Sequence, residues 1–138
     1  MVDVPHLIND IEDKLDEALD YVKSFDLINV VYLHGSCVKG RLHPGSDIDM
    51  AVLMQGFSDL KTENILGMTG QLELIFKRKV DLGVLSSNNL VYAKEVIEHG
   101  KPVFCRNRFE KELFEATTLS MYLDLQIERK EILNAYRA

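Results

Sequence analysis

The chain has 138 residues, 46% of them hydrophobic, and a formal net charge of −6. This length suits one folded core, and nothing in the composition divides the chain into two globular domains. The acidity argues against DNA or RNA as a partner, because nucleic-acid binders present a basic face. No apolar run approaches the ~20 residues of a membrane helix, and the N-terminus lacks the basic-then-apolar form of a signal peptide. We therefore expect a cytoplasmic protein without a membrane span.

The first two predicted elements are a helix and a strand. A helix is expected from Pro5 to about Phe25, because apolar residues recur there at helical spacing with acidic residues opposite them. Residues 27–33 (LINVVYL) predict a buried strand, since β-branched and aromatic types occur without a charge or a breaker. The chain thus reaches its first conspicuous turn, Gly35-Ser36, at the end of a core strand.

Gly35 and Ser36 form a turn suited to binding an anion. A glycine lets the backbone approach a ligand closely, and a serine can cap the short helix that we expect to follow. The free N–H groups at such a helix start attract negative charge. We expect this turn to face a phosphate.

Two carboxylates occur next, on a strand predicted over residues 47–54 (DIDMAVLM). Successive side chains of a strand point to opposite faces, so Asp47 and Asp49 should share one face while Ile48 and Met50 take the other. Neighbouring carboxylates in apolar surroundings repel each other unless a cation compensates them. Mg²⁺ is the simplest such cation, because it prefers oxygen ligands and retains several waters.

A third acid, Asp81, is expected on a strand over residues 80–85 (VDLGVL). Gly83 follows it on the same face and presents no side chain to an approaching group. If this strand lies beside the second, three carboxylates converge, as a two-metal displacement at phosphorus requires. Asp81 would then bind the first ion and accept the proton of the acceptor hydroxyl.

The remaining segments predict a helix over residues 58–79, a helix over 90–100, a strand over 101–105 and a C-terminal helix over 107–138. The fold class expected from this order is α/β (α+β), a small mixed β-sheet with helices packed on one face, plus the C-terminal helix. The domain prediction places residues 1–106 in the catalytic core. It packs the helix of residues 107–138 on the same domain, with surplus apolar residues as a partner surface.

The combination of Gly35-Ser36, ten intervening residues, Asp47-Ile48-Asp49 and a later Asp81 resembles the signature of the DNA polymerase beta-like nucleotidyltransferase superfamily. The resemblance covers residues 27 to about 104. By its small size the chain is most similar to the minimal nucleotidyltransferases, the MntA-like antitoxins that are paired with HEPN-domain toxins.

The resemblance implies roles for individual residues. Asp47, Asp49 and Asp81 are the expected catalytic and metal-binding residues, with Mg²⁺, two ions, as cofactor and ATP as substrate. The expected nucleotide-binding residues are Gly35, Ser36, Lys39, Arg41 and Ser46. Three positions depart from the family pattern: His34 replaces a common aromatic, Lys39 stands where arginine is frequent, and Arg41 follows the glycine. Arginine forks around two phosphate oxygens whereas lysine is a point charge, so the basic residue that meets the phosphates stays open.

The implied activity is transfer of AMP from ATP to a hydroxyl, a tyrosine, of a HEPN toxin, with this chain as the antitoxin. Two alternatives remain at this point. The protein could neutralise its partner by binding alone, or it could modify a small-molecule hydroxyl, as aminoglycoside nucleotidyltransferases do. The expected partners are the HEPN toxin and ATP, within a homodimer or a hetero-oligomer.

Overall fold

A computed structural model describes residues 3–39 and 45–137, with backbone only for residues 3–10 and 39. The helices and strands occur in the predicted order. They are α1 (Asp3–Lys23), β1 (Ile28–His34), α2 (Ser36–Lys39), β2 (Ile48–Met54), α3 (Thr62–Phe76), β3 (Val80–Val84), α4 (Leu90–His99), β4 (Lys101–Cys105) and α5 (Arg108–Arg137). Short 3-10 turns cover Gln55–Phe57 and Ser87–Asn89.

The strands of the described segments form one mixed sheet in the order β3-β2-β1-β4. The pairs β1–β2 and β1–β4 are antiparallel, whereas β2 and β3 run parallel. A parallel neighbour needs a crossover connection, and α3 supplies it. The predicted fold class, a small mixed α/β sheet with a C-terminal helix, is confirmed.

The expectation that the helices pack on one face of the sheet is wrong, because they cover both faces. One core cluster joins α1 and α3 to residues such as Val31 and Met50, and a second joins α4 and α5 to Val30 and Tyr32. The sequence of β1 explains why both faces of the sheet are covered. Apolar residues occupy every position of Ile28–Leu33 except Asn29, and an unbroken apolar run is typical of a strand that is buried on both sides.

The predicted helix over residues 58–79 is too long at both ends. It begins at Thr62, because Gly56 and Phe57 adopt positive φ angles of 66° and 56° and the residues before Thr62 are not helical. It ends at Phe76, because Lys77 takes the left-handed conformation with a φ of 55°. The shorter helix leaves residues 77–79 as the link that leads directly into β3.

Buried amide hydrogen bonds attach α5 to the core. Asn29, fully buried, donates from Nδ2 to the Asn107 carbonyl and accepts from the Asn107 N–H at 2.6 Å. Asn107 in turn accepts from the Glu110 N–H and caps the helix start. Phe114 is buried against α4 and the sheet, whereas every described residue after Leu125 is exposed. The last 12 of the 30 residues of α5 therefore extend beyond the core.

Among the described helices, none is both long enough and apolar enough to cross a membrane.

Candidate active site

Three polar residues form one row across the sheet, which we call the polar row: His34, Asp49 and Asp81. His34 is the antiparallel register partner of Asp49, and Asp49 is the parallel partner of Asp81. All three belong to the face covered by α4 and α5, since they alternate with residues of the opposite core. Convergence of the acids was expected on the condition that the strands of Asp49 and Asp81 are neighbours; they are, and the register brings the two carboxylates side by side.

Asp47 lies immediately before β2, which begins at Ile48. It is exposed, whereas Asp49 is half-buried and Ile48 and Met50 are fully buried in the opposite core. The strand therefore separates the two acids from the apolar residues as the alternation predicted. Asp47 and Asp81 both lie close enough to Asp49 for their charges to act on its carboxylate.

The turn at Gly35 lies directly against the Asp49 carboxylate. Gly35 has a φ of 68°, and a Cβ atom added there would overlap Asp49 Oδ2. The backbone conformation therefore favours glycine, and a side chain at this position would displace the Asp49 carboxylate. Ser36 follows as the first residue of α2, so the start of this short helix lies beside the acidic residues.

Tyr92 of α4 closes one side of the polar row. Its ring covers Gly83, where an added Cβ would overlap the ring and the hydroxyl. The Tyr92 hydroxyl lies 3.3 Å from His34 Nε2, and the two rings meet edge to face. Gly83 was expected to leave room for an approaching group, but the group that uses this room is the chain's own tyrosine. The sequence did not single out Tyr92. Gly83, two residues after Asp81, is the sequence signal that another group packs against this position of the strand.

Burial and mutual repulsion perturb the acid–base chemistry of this row. Burial raises the pKa of Asp49, and the charges of Asp81 and Asp47 raise it further against the opposing effect of His34. Burial lowers the pKa of His34 despite the nearby Asp49 and Asp81 carboxylates. Burial and the same two carboxylates raise the pKa of Tyr92 to about 12. The phenol therefore keeps its proton, and the direction of its hydrogen bond with His34 Nε2 follows the tautomer of the neutral imidazole.

The basic residues divide between described and undescribed parts of the chain. Arg41 lies outside the described residues, as does the side chain of Lys39. Arg78 donates from Nη1 to the Ser46 carbonyl at 3.2 Å and so holds the segment that leads into Asp47. The run Lys77-Arg78-Lys79 immediately precedes the Asp81 strand, a position that places it next to the site.

The donor set fits a hard cation held largely by non-protein oxygens. The ion pairs formed by the described residues include neither Asp49 nor Asp81. No three His, Cys, Asp or Glu side chains of residues 11–38 and 45–137 converge closely enough to enclose an ion. Mg²⁺ commonly takes one or two carboxylates and completes its shell with water and phosphate oxygens. The pair Asp49 and Asp81, with Asp47 beside them, matches that requirement.

Comparison with known proteins identifies the family. The family model described as polymerase beta, nucleotidyltransferase, matches residues 16–109, which include every residue of the polar row. This chain belongs to the polymerase beta nucleotidyltransferase family. The resemblance inferred from the glycine-serine turn and the aspartates is thus confirmed at the level of the family.

Relatives of this nucleotidyltransferase include the protein adenylyltransferase MntA of Shewanella oneidensis. The two are 35% identical over 109 residues, which cover 78% of this chain and 75% of the relative. A crystal structure of a toxin–antitoxin with AMP-PNP is 31% identical, with a TM-score of 0.74 over 92% of this chain and 98% of the other. A structure of the tri-AMPylated S. oneidensis HEPN toxin in complex with MNT antitoxin is 27% identical. It has a TM-score of 0.65 over 98% and 99% of the two chains. The sequence-based similarity to MntA-like proteins is also confirmed.

Proposed function

We propose that this nucleotidyltransferase transfers AMP from ATP to a tyrosine hydroxyl of a cognate HEPN-domain toxin and so acts as its antitoxin. The observation that carries the proposal is the register pairing of Asp49 with Asp81 beside the Gly35 turn, where a Cβ atom would displace the Asp49 carboxylate. Carboxylates placed there can hold the cations that position the reactants and neutralise the charge on the phosphates. A reaction catalysed in this way needs no covalent enzyme intermediate. The relatives named for protein adenylylation and for complexes with HEPN toxins support the choice of donor and acceptor.

The site residues take the following proposed roles. The start of α2, with Gly35 and Ser36, would bind the triphosphate, because the free N–H groups and the serine hydroxyl donate to phosphate oxygens. Lys39, Arg41 and Ser46 would contribute further phosphate contacts from the segment that joins α2 to β2. Arg78 holds this segment through the Ser46 carbonyl. These contacts would place the α-phosphate over the polar row.

Asp47, Asp49 and Asp81 would hold Mg²⁺, two ions in the complete site. When bound, these ions would neutralise triphosphate charge and favour ionisation of the acceptor hydroxyl. In the transfer the acceptor oxygen forms a bond to the α-phosphorus as the bond to the leaving oxygen breaks, and pyrophosphate departs. Asp81, exposed at the edge of the row, would accept the proton of the hydroxyl.

The acceptor must reach the polar row from outside, because this face of the sheet carries no substrate domain of its own among the described residues. The part of α5 beyond Leu125 is exposed, and it includes Ile127, Ile132, Leu133 and Tyr136 at 55–87% exposure. We propose that this part of residues 107–138 contacts the toxin. The core over residues 1–106 would then act as the catalytic domain. Adenylation adds negative charge and bulk at the toxin's tyrosine, which accounts for its inactivation.

Isotope labelling tests the transfer. The purified HEPN partner is incubated with this protein, Mg²⁺ and ATP labelled either at the α-phosphate or at the γ-phosphate. Label on the partner from the α-position only, lost in Asp47→Asn, supports adenylyl transfer. Label from the γ-position would show a kinase reaction instead. No label despite a stable complex, together with protection of cells by the variant that lacks all three acids, would favour neutralisation by binding alone.

A further inference from the structure

An exposed stripe runs along α3 opposite the core. The core side of this helix carries Met68, Leu72 and Phe76, which are buried. On the other side, Leu66 and Leu74 are 68% and 72% exposed, an unusual position for two leucines on one helix face. We call the outward set the α3 stripe; it consists of Glu63, Leu66, Gly70 and Leu74 on the helix and of Lys77, the residue that ends the helix, all of them exposed.

The α3 stripe is palindromic in spacing and in charge. Its members are separated by 3, 4, 4 and 3 residues, centred on Gly70. In an antiparallel pair of α3 helices with a two-fold axis at Gly70, each Leu66 faces Leu74 of the other copy. Each Glu63 likewise faces a Lys77 of the other copy, so both ends carry opposite charges. Neither Glu63 nor Lys77 belongs to an ion pair within the described part of the chain.

Gly70 and Gly67 are consistent with close approach of a second helix. Glycine inside a helix costs about 1 kcal/mol relative to alanine. The fold itself gives no reason for this cost, because an added Cβ at either position meets no atom within 4 Å. At the centre of a helix crossing, however, a missing side chain lets the leucines on either side interlock.

We infer that the α3 stripe is a self-association surface, through which two copies of this chain pair antiparallel about Gly70. The inference is independent of the proposed function. Because α3 packs on the face opposite the polar row, pairing leaves both active sites open. Two single helices bury less than the ~1,200 Å² of a standard interface. We therefore expect a weak dimer, with a dissociation constant in the micromolar range.

Sedimentation equilibrium of the full chain over a concentration series tests this pairing. Reversing one charge, Glu63→Lys or Lys77→Glu, replaces two attractive contacts with repulsive ones, and should weaken the dimer by roughly tenfold. Combining both reversals restores complementarity between the copies and should return the affinity to within a few-fold of the original. An intrachain pair cannot produce this rescue, since the two residues lie about 21 Å apart along the helix. Glu131→Lys, an exposed charge reversal on α5, is the matched control and should leave the dimer unchanged.

Three results would overturn the inference. The first is a monomer at concentrations up to about 1 mM. The second is a double reversal that is as weak as the single ones, which would show that Glu63 and Lys77 do not face each other. The third is loss of the dimer in Glu131→Lys with no effect of the α3 variants, which would move the contact to α5. Circular dichroism of each variant confirms that these surface changes leave the fold intact.

Discussion

Replacing Gly35 with alanine separates the backbone cost of the turn from the position of the Asp49 carboxylate. A φ of 68° costs an L-residue about 1–2 kcal/mol. Unfolding entropy of about 2.1 cal/mol/K per residue over 138 residues converts this into a Tm lower by roughly 3–7 °C. The new methyl group would also occupy the place of Asp49 Oδ2 and push that carboxylate away. A displacement of about 1 Å at a reacting centre lowers the rate by about 100-fold.

Gly56→Ala provides the matched control. Gly56 has nearly the same φ, 66°, but an added Cβ there meets nothing within 4 Å. Both variants should lose similar stability in differential scanning calorimetry. Only Gly35→Ala should lose adenylyl transfer, measured as labelled partner at saturating ATP and below the Tm. Full transfer by Gly35→Ala would refute the assignment of Asp49 to the reacting centre, and equal loss of activity in both variants would attribute the effect to stability alone.

Three further predictions concern the row and its supports. In metal-free buffer, Asp49→Asn should raise the Tm at pH 7. The pKa of Asp49 is raised in the folded protein, so ionisation of this carboxyl group destabilises the fold. The stability of the wild-type protein therefore falls as the pH rises above the usual aspartate range. A thermal melt series down to pH 3 should show this difference vanish, and a pH-independent difference would contradict it. Gly83→Ala should lower the free energy of unfolding by about 1–3 kcal/mol, because the new methyl group overlaps the Tyr92 ring. Combining Gly83→Ala with Tyr92→Ala should remove that overlap. If urea unfolding shows that Gly83→Ala destabilises the protein equally with and without the tyrosine, the contact is excluded. Tyr32→Phe should lower the free energy of unfolding by about 1.5–3 kcal/mol. The reason is that the Tyr32 hydroxyl donates to Glu115 Oε2 at 2.9 Å and thereby joins β1 to α5. An unchanged free energy of unfolding would mean that this hydrogen bond does not hold α5.

The sequence predicts the strands and the polar residues on them because both depend on local patterns. Alternation along β2 separates Asp49 from Ile48 and Met50, and the apolar run of β1 identifies a central strand. Parallel pairing of β2 with β3 follows from the crossover helix between them. Family resemblance then supplied the chemistry, which the spacing of the acids alone left open.

Other features depend on contacts between distant segments, which no local pattern specifies. The positive φ angles of Phe57 and Lys77 set the bounds of α3, and neither residue type signals that conformation in a sequence. Tyr92 reaches His34 across 58 positions of the chain. The packing of helices on both faces likewise requires knowledge of where α4 and α5 return to the sheet.

In the proposed function the three acids carry adenylyl transfer to a tyrosine of the HEPN partner. Intact-mass spectrometry of that partner, after incubation with this protein, ATP and Mg²⁺, tests it most directly. Matched reactions contain Asp49→Asn, or a partner whose modified tyrosine is replaced by phenylalanine. We predict added adenylate mass in the complete reaction and in neither control. Undiminished adenylate mass with Asp49→Asn would contradict it.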